Sequence, residues 1–195
     1  MPVGLKDSDG LFASMMKQAF AGQLTAEWEV ANADWIVQQA ILHESLPRLL
    51  LLALIRERAV GSENAAKAAV LVTALMKYVF LMQMEGDGRR RPYHFVPYHY
   101  GPFAKGVYED LDGLVQDGVV RVENDQDEQK TRITLVDTVK ADEMLAKIPE
   151  DVKADVSSIV EKYGALDHGN LLKAVYKKYP AYAKRSKINK KTLPK

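Results

Sequence analysis

Tyr93-His-Phe-Val-Pro-Tyr-His-Tyr-Gly-Pro-Phe-Ala-Lys-Gly-Val-Tyr-Glu-Asp-Leu-Asp-Gly-Leu-Val-Gln-Asp-Gly-Val-Val-Arg-Val-Glu123, followed beyond a polar tip by Thr131-Arg-Ile-Thr-Leu135, is the stretch whose reading decides the fold. Its opening, Tyr93 to Tyr100, is aromatic-rich and predicts an extended run. Gly101-Pro102 stops that run, and a proline close to a first turn predicts a helix start there. From Phe103 the apolar residues Phe103, Val107, Leu111, Leu114 and Val115 share one helical face, and Gly118 ends the helix. Val119 to Val122 and Thr131 to Leu135 then predict the two strands of a hairpin, with Asn124 to Lys130 as its tip.

Upstream, Ser45 and Pro47 stand in the order cap then proline and predict the opening of a helix whose body, Arg48 to Ile55, is apolar almost all round and therefore buried. Gly61-Ser62 predicts its end. Glu63 to Glu85 is a second long apolar segment, with Lys67, Lys77 and Gln83 on its polar side. Helices followed by a helix and a hairpin around one core are the ground plan of a winged helix-turn-helix. The expected fold is mainly α with a small β-hairpin. A helical docking segment spans 1–45, a winged-helix core 46–136, and C-terminal helices with a basic tail 137–195. Phe80, Val107, Leu111 and Leu114 are the expected core.

The flanks read as helices too. Asp9 caps a predicted helix with Leu11, Phe12, Met15, Met16, Ala19 and Phe20 on its apolar face, and Gly22 ends it. A helix from Ala26 to Leu42 places Trp28 and Trp35 on one stripe, where core packing is favoured and an interface is the other reading. Helices over 137–148, 151–163 and 169–179 are bounded by Pro149, Gly164 and Pro180, with Asp167 as a cap.

Charge and composition narrow the function classes. Lys plus Arg at 27 against Asp plus Glu at 26 leaves no global field toward nucleic acid or membrane, so any attraction must be local. The absence of cysteine removes disulfides and thiolate-bound zinc. No signal-peptide core opens the chain, and its apolar runs are shorter than a membrane span, so a soluble cytoplasmic protein is expected. His94 and His99 stand i, i+5 on an extended run and face opposite sides, which argues against a shared metal. No phosphate loop, zinc-protease helix or nucleophile elbow occurs, so neither enzymatic activity nor a cofactor is expected.

Leu11-Phe-Ala-Ser-Met-Met-Lys-Gln-Ala-Phe-Ala-Gly-Gln-Leu-Thr-Ala26 resembles the C-terminal end of type I restriction–modification specificity subunits, whose last helix runs into a similar Ala-Phe-x-Gly-x-Leu segment. Over residues 46–188, Lys77-Tyr-Val-Phe-Leu81, the Tyr98-His-Tyr-Gly-Pro-Phe103 turn, Tyr108-Glu-Asp-Leu111, Gly118-Val-Val120 and Val175-Tyr-Lys-Lys-Tyr-Pro180 resemble prokaryotic winged-helix proteins that include phage-associated and SocA-like antitoxins. These resemblances imply regulation tied to restriction, phage defence or a toxin, rather than metabolism.

Charge placement sets the candidate sites. A winged helix normally offers its third helix to the major groove, but Glu109 to Glu128 holds eight acids against the single base Arg121, and like charge repels phosphate. A protein partner, a restriction–modification or toxin component, is therefore expected at Trp28, Trp35, Lys105, Glu109 and Asp112, with a homo-oligomer left open. The alternative is a DNA-binding regulator using Arg89, Arg90, Arg91, Lys184, Arg185, Lys187, Lys190 and Lys191. From Leu171 onward there are nine basic residues and no acid, interleaved with Tyr176, Tyr179 and Tyr182. The three arginines read equally as a solvated loop.

Overall fold

A helix buried on every side organises the molecule: in Val72–Glu85, each residue from Val72 to Gln83 is buried. The computed structural model describes residues 14–19, 21–22, 25–60, 69–87, 90–123 and 130–187. In chain order the elements are α1 (Ala26–Ala31), α2 (Ala33–Ala59), β1 (Val70–Leu71), α3 (Val72–Glu85), β2 (Val96–Tyr98), β3 (Gly101–Phe103), α4 (Lys105–Gln116), β4 (Val120–Glu123), β5 (Arg132–Leu135), α5 (Thr138–Leu145), α6 (Glu150–Tyr163) and α7 (His168–Lys178). A 3-10 turn, Pro180–Ala183, follows α7. The protein is mainly helical with small antiparallel sheets. Among the described residues no helix is long and apolar enough to cross a membrane.

The chain falls into two units, Met1–Glu44 and Ser45–Lys195. In the first, the described residues are helical over 14–19, in α1 and over residues 33–44 of α2. Met15 and Met16 lie at the surface, and Trp28 is 52% exposed, so Trp28 is not the core residue its stripe predicts. Trp35 lies in α2, and its side chain is outside the described set, as are Asp9, Leu11, Phe12 and Phe20.

The second unit is built around α3. Residues Leu49 to Leu52 with Leu54 and Ile55 of α2 are buried, as the all-round apolar pattern predicts. Helices α6 and α7 and strand β3 pack directly on α3. The three-stranded sheet has the order β1-β5-β4, antiparallel throughout, with Val70 opposite Ile133 and Val122 opposite Ile133 on the other side. Period-two alternation places Val120 and Ile133 inward and leaves Arg121 and Arg132 exposed. Phe80, Val107, Leu111 and Leu114 are all buried, as expected. Phe80 is the centre of an edge-to-face cluster with Phe95, Tyr179 and Tyr182, at centroid distances of 5.3, 5.1 and 4.6 Å.

Several expectations are corrected. Ser45 and Pro47 do not open a helix, because α2 runs through them with Pro47 inside. The missing N–H of a proline costs a helix one hydrogen bond, and here burial of the following leucines continues the helix regardless. Gly101-Pro102 does not start α4 either. After the turn at His99 and Tyr100, Gly101–Phe103 returns as a strand on Val96–Tyr98, with Pro97 opposite Pro102. Prolines fit this two-stranded ribbon because a ribbon has free edges. The helix begins two residues later, at Lys105. Gly101 has φ of +100°, which L side chains rarely adopt. Asp137 and Asp167 cap α5 and α7 through hydrogen bonds from the Lys140 and Asn170 amides. Gly61-Ser62 and most of the hairpin tip lie outside the described residues.

Candidate interaction surfaces and an open cavity

The acids of α4 divide into two groups. Asp110 and Asp117 face Arg48 of α2, whose guanidinium lies 3.3 Å from Asp117 and 4.0 Å from Asp110. Gly113 makes room for this crossing, since a Cβ there would stand 2.5 Å from the guanidinium carbon. Asp110 also accepts a 2.7 Å hydrogen bond from the Tyr93 hydroxyl, which reaches the Pro47 carbonyl at 3.0 Å as well. Burial, followed by the Asp110 carboxylate, raises the Tyr93 pKa far above its ordinary value, so this phenol stays protonated. Glu109 and Asp112 are exposed on the other face. Glu109 pairs with Lys105 at 2.8 Å across one helical turn, and Asp112 has no ion pair or hydrogen bond among the described residues.

Tyr93 is positioned by a glutamine of α3. Gln83, expected on a polar face, is buried, and its side-chain amide closes a reciprocal pair with the Tyr93 backbone: Nε2 donates to the carbonyl at 2.9 Å and the Tyr93 N–H donates to Oε1 at 3.0 Å. Polar groups inside a core must be paired, and this pair fixes where the aromatic run leaves α3.

The basic candidates behave unequally. Arg90 is tied to Asp151 in the first turn of α6 at 2.5 Å, whereas Arg91 is exposed. Lys184, Arg185 and Lys187 are exposed, and the Lys187 N–H donates to the His99 carbonyl at 2.9 Å, fastening the tail to the β2–β3 turn. Arg89, Lys190 and Lys191 lie outside the described residues. The interleaved tyrosines do not form an open stacking platform: Tyr176 is buried, and Tyr179 and Tyr182 pack on Phe80. Lys178 is committed to Glu85, whose side chain is 9% exposed and which also takes Lys162 at 2.6 Å and the Tyr163 and Tyr179 hydroxyls. Burial would raise the Glu85 pKa, but hydrogen bonds from Lys162, Lys178 and Tyr163 outweigh it and hold the carboxyl down at about 2.

A cavity of about 490 Å³ opens between α3, the β2–β3 turn and the first turns of α4. Met76, Thr73 and Lys77 line it from α3, Tyr98, Tyr100 and Phe103 from the hairpin, and Lys105 and Tyr108 from α4. The sequence pattern puts Lys77 on a polar face, yet it is 1% exposed. Its Nζ donates to the Thr73 carbonyl at 2.7 Å, and no carboxylate among the described residues pairs with it. Burial lowers its pKa to about 7. His168, whose Nδ1 lies 3.5 Å from the Thr73 hydroxyl, has its pKa lowered by burial and by the Lys77 charge. The sequence signal for this site was a single lysine among Val, Leu and Met, where no compensating acid stands at i±3 or i±4.

No family model matches the chain, and no curated protein matches it.

Proposed function

We propose that the chain is a winged-helix protein of regulatory or accessory type, without enzymatic activity, that works in the cytoplasm mainly through protein contacts within a restriction, phage-defence or toxin–antitoxin type system. The winged-helix reading is supported by the order α2, β1, α3, α4, β4, β5 that remains when the β2–β3 ribbon between α3 and α4 is counted as an insertion, and by the pairing of β1 with β5 rather than with β4. Closure of the hairpin's sheet by a first strand suits a winged helix, and on this reading α4 is the third helix. The tie to a defence locus rests on the resemblances over residues 11–26 and 46–188.

The observation that carries the choice of partner is the outward face of α4. It presents the Lys105–Glu109 ion pair and the carboxylate of Asp112, so its net charge is negative. A helix of that charge is repelled by phosphate and suits a basic protein surface. The test is recovery of the tagged full-length chain from its own host cells. A specific partner is expected to copurify and to be lost on combining Glu109→Lys with Asp112→Lys, at unchanged melting temperature. A complex that survives both reversals removes α4 from the interface. The second reading, DNA binding through the loop and tail, is favoured by one feature: Arg91, Lys184, Arg185 and Lys187 are all exposed.

A further inference from the structure

We propose that the open edge of β4 pairs with the same strand of a second copy of this chain, antiparallel about a two-fold axis at Val122, so that the two three-stranded sheets join into one. This stands independently of the function proposed above. The sheet order β1-β5-β4 leaves β4 at one side, and among the described residues it is paired with β5 alone. Such an edge offers N–H and C=O groups that a further strand can take up.

The register follows from the backbone. The Val119 carbonyl accepts from the Val136 N–H at 2.9 Å and therefore points to the β5 side. Antiparallel pairing alternates along a strand, so Arg121 and Glu123 turn their N–H and C=O to β5, while Val120 and Val122 turn theirs to the open edge. With Val122 of one copy facing Val122 of the other, each donates to the other's carbonyl. That register sets Arg121 of each copy opposite Glu123 of the other, at the non-hydrogen-bonded positions where side chains lie closest. Moving the axis by one residue sets Arg121 against Arg121 or Glu123 against Glu123, and an axis at Val120 faces Arg121 with Val119. Both side chains are available: Arg121 and Glu123 are exposed, and neither has an ion pair or side-chain hydrogen bond among the described residues. Charges on a strand edge usually discourage pairing. Here the two signs stand two residues apart, an order that is complementary to itself when the strand is reversed, as a two-fold contact between identical chains requires.

A contact between two four-residue strands is smaller than a permanent interface, so the dimer is expected to depend on concentration. The test is sedimentation equilibrium of the full-length chain at low salt, from about 10 μM to about 1 mM, the range in which a small interface associates. Wild-type protein is expected to pass from monomer to dimer over that range. Arg121→Glu and Glu123→Arg each set like charges opposite one another at both contacts, and each should weaken association by about tenfold or more. An equimolar mixture of the two variants restores opposite charges at both contacts and should form a heterodimer as readily as the wild type dimerises. The double variant Arg121→Glu with Glu123→Arg should also dimerise like the wild type. A wild type that stays monomeric throughout, a single variant that dimerises as the wild type does, or a mixture that fails to associate would overturn the proposal. The wild-type arm and the double variant decide it even if a single variant does not fold.

Discussion

Lys77 opposes folding, and its size can be read from pH. Its pKa falls from 10.5 unfolded to about 7 folded, so the unfolded chain holds the extra proton between those values and stability rises with pH across that window. Lys77→Met keeps the stem's bulk and removes the amine. It should raise the melting temperature by several degrees at pH 6.5, with the gain shrinking toward pH 10; an equal effect at both values would mean that the amine is solvated. Glu85 has the opposite sign. Its carboxyl is depressed from 4.5 to about 2, so its contribution is complete above pH 4.5 and is lost as pH falls through 2. Glu85→Gln should cost roughly 1.5 to 3 kcal/mol in urea denaturation at pH 7, the range for hydrogen bonds to charged groups, and much less at pH 2. Tyr93→Phe strips Asp110 of its phenol donor and should cost about 1 to 2 kcal/mol.

At the scale of elements, Gly101 and Leu111 carry the sharpest expectations. Gly101 has φ of +100°, and an added Cβ would lie 3.3 Å from both Leu172 and Tyr176. Gly101→Val combines strain with crowding and should lower stability by more than about 1 kcal/mol, read from the urea midpoint. Leu111→Ala, in the buried face of α4, should cost roughly 2 to 5 kcal/mol by the same measurement. The helices of this core were legible because their apolar periodicity and their caps are local. Asp137, Asp167 and Gly164 mark ends that follow from nearest neighbours alone. What was not legible depends on distant partners. β1 is two residues long and exists because β5 lies beside it. The Gly101–Phe103 strand was hidden because Gly-Pro is also a helix-start signal, and the pairing with Val96–Tyr98 settles the competition. Pro47 likewise misled, since burial of α2 outweighs the local preference of proline for a first turn.

Across the whole molecule the charges are redistributed relative to their order in sequence. Counting acids along Glu109 to Glu128 treats them alike, but Asp110 and Asp117 are drawn inward by Arg48 from more than sixty residues upstream, and Arg90 and Lys178 are spent on Asp151 and Glu85. Arg48, Gln83 and Tyr93 carry no motif, so their joint role appears only when α2, α3 and α4 are assembled. Of the candidate contacts, α4 keeps Asp112 outward beside the Lys105–Glu109 pair, and Arg91, Lys184, Arg185 and Lys187 remain as exposed cations. The two functional classes differ in which of these meets the partner. Fluorescence anisotropy of a labelled duplex of about 20 base pairs, titrated from 50 to 200 mM salt, separates them. The measurement compares wild type, a truncation of residues 184–195 and an Arg89–Arg91 triple alanine variant. For six or more phosphate contacts, affinity falls by about a thousandfold or more over that range. The account predicts weak binding near physiological salt that differs little among the three proteins. Tight, salt-steep binding that the truncation or the triple variant removes would contradict it.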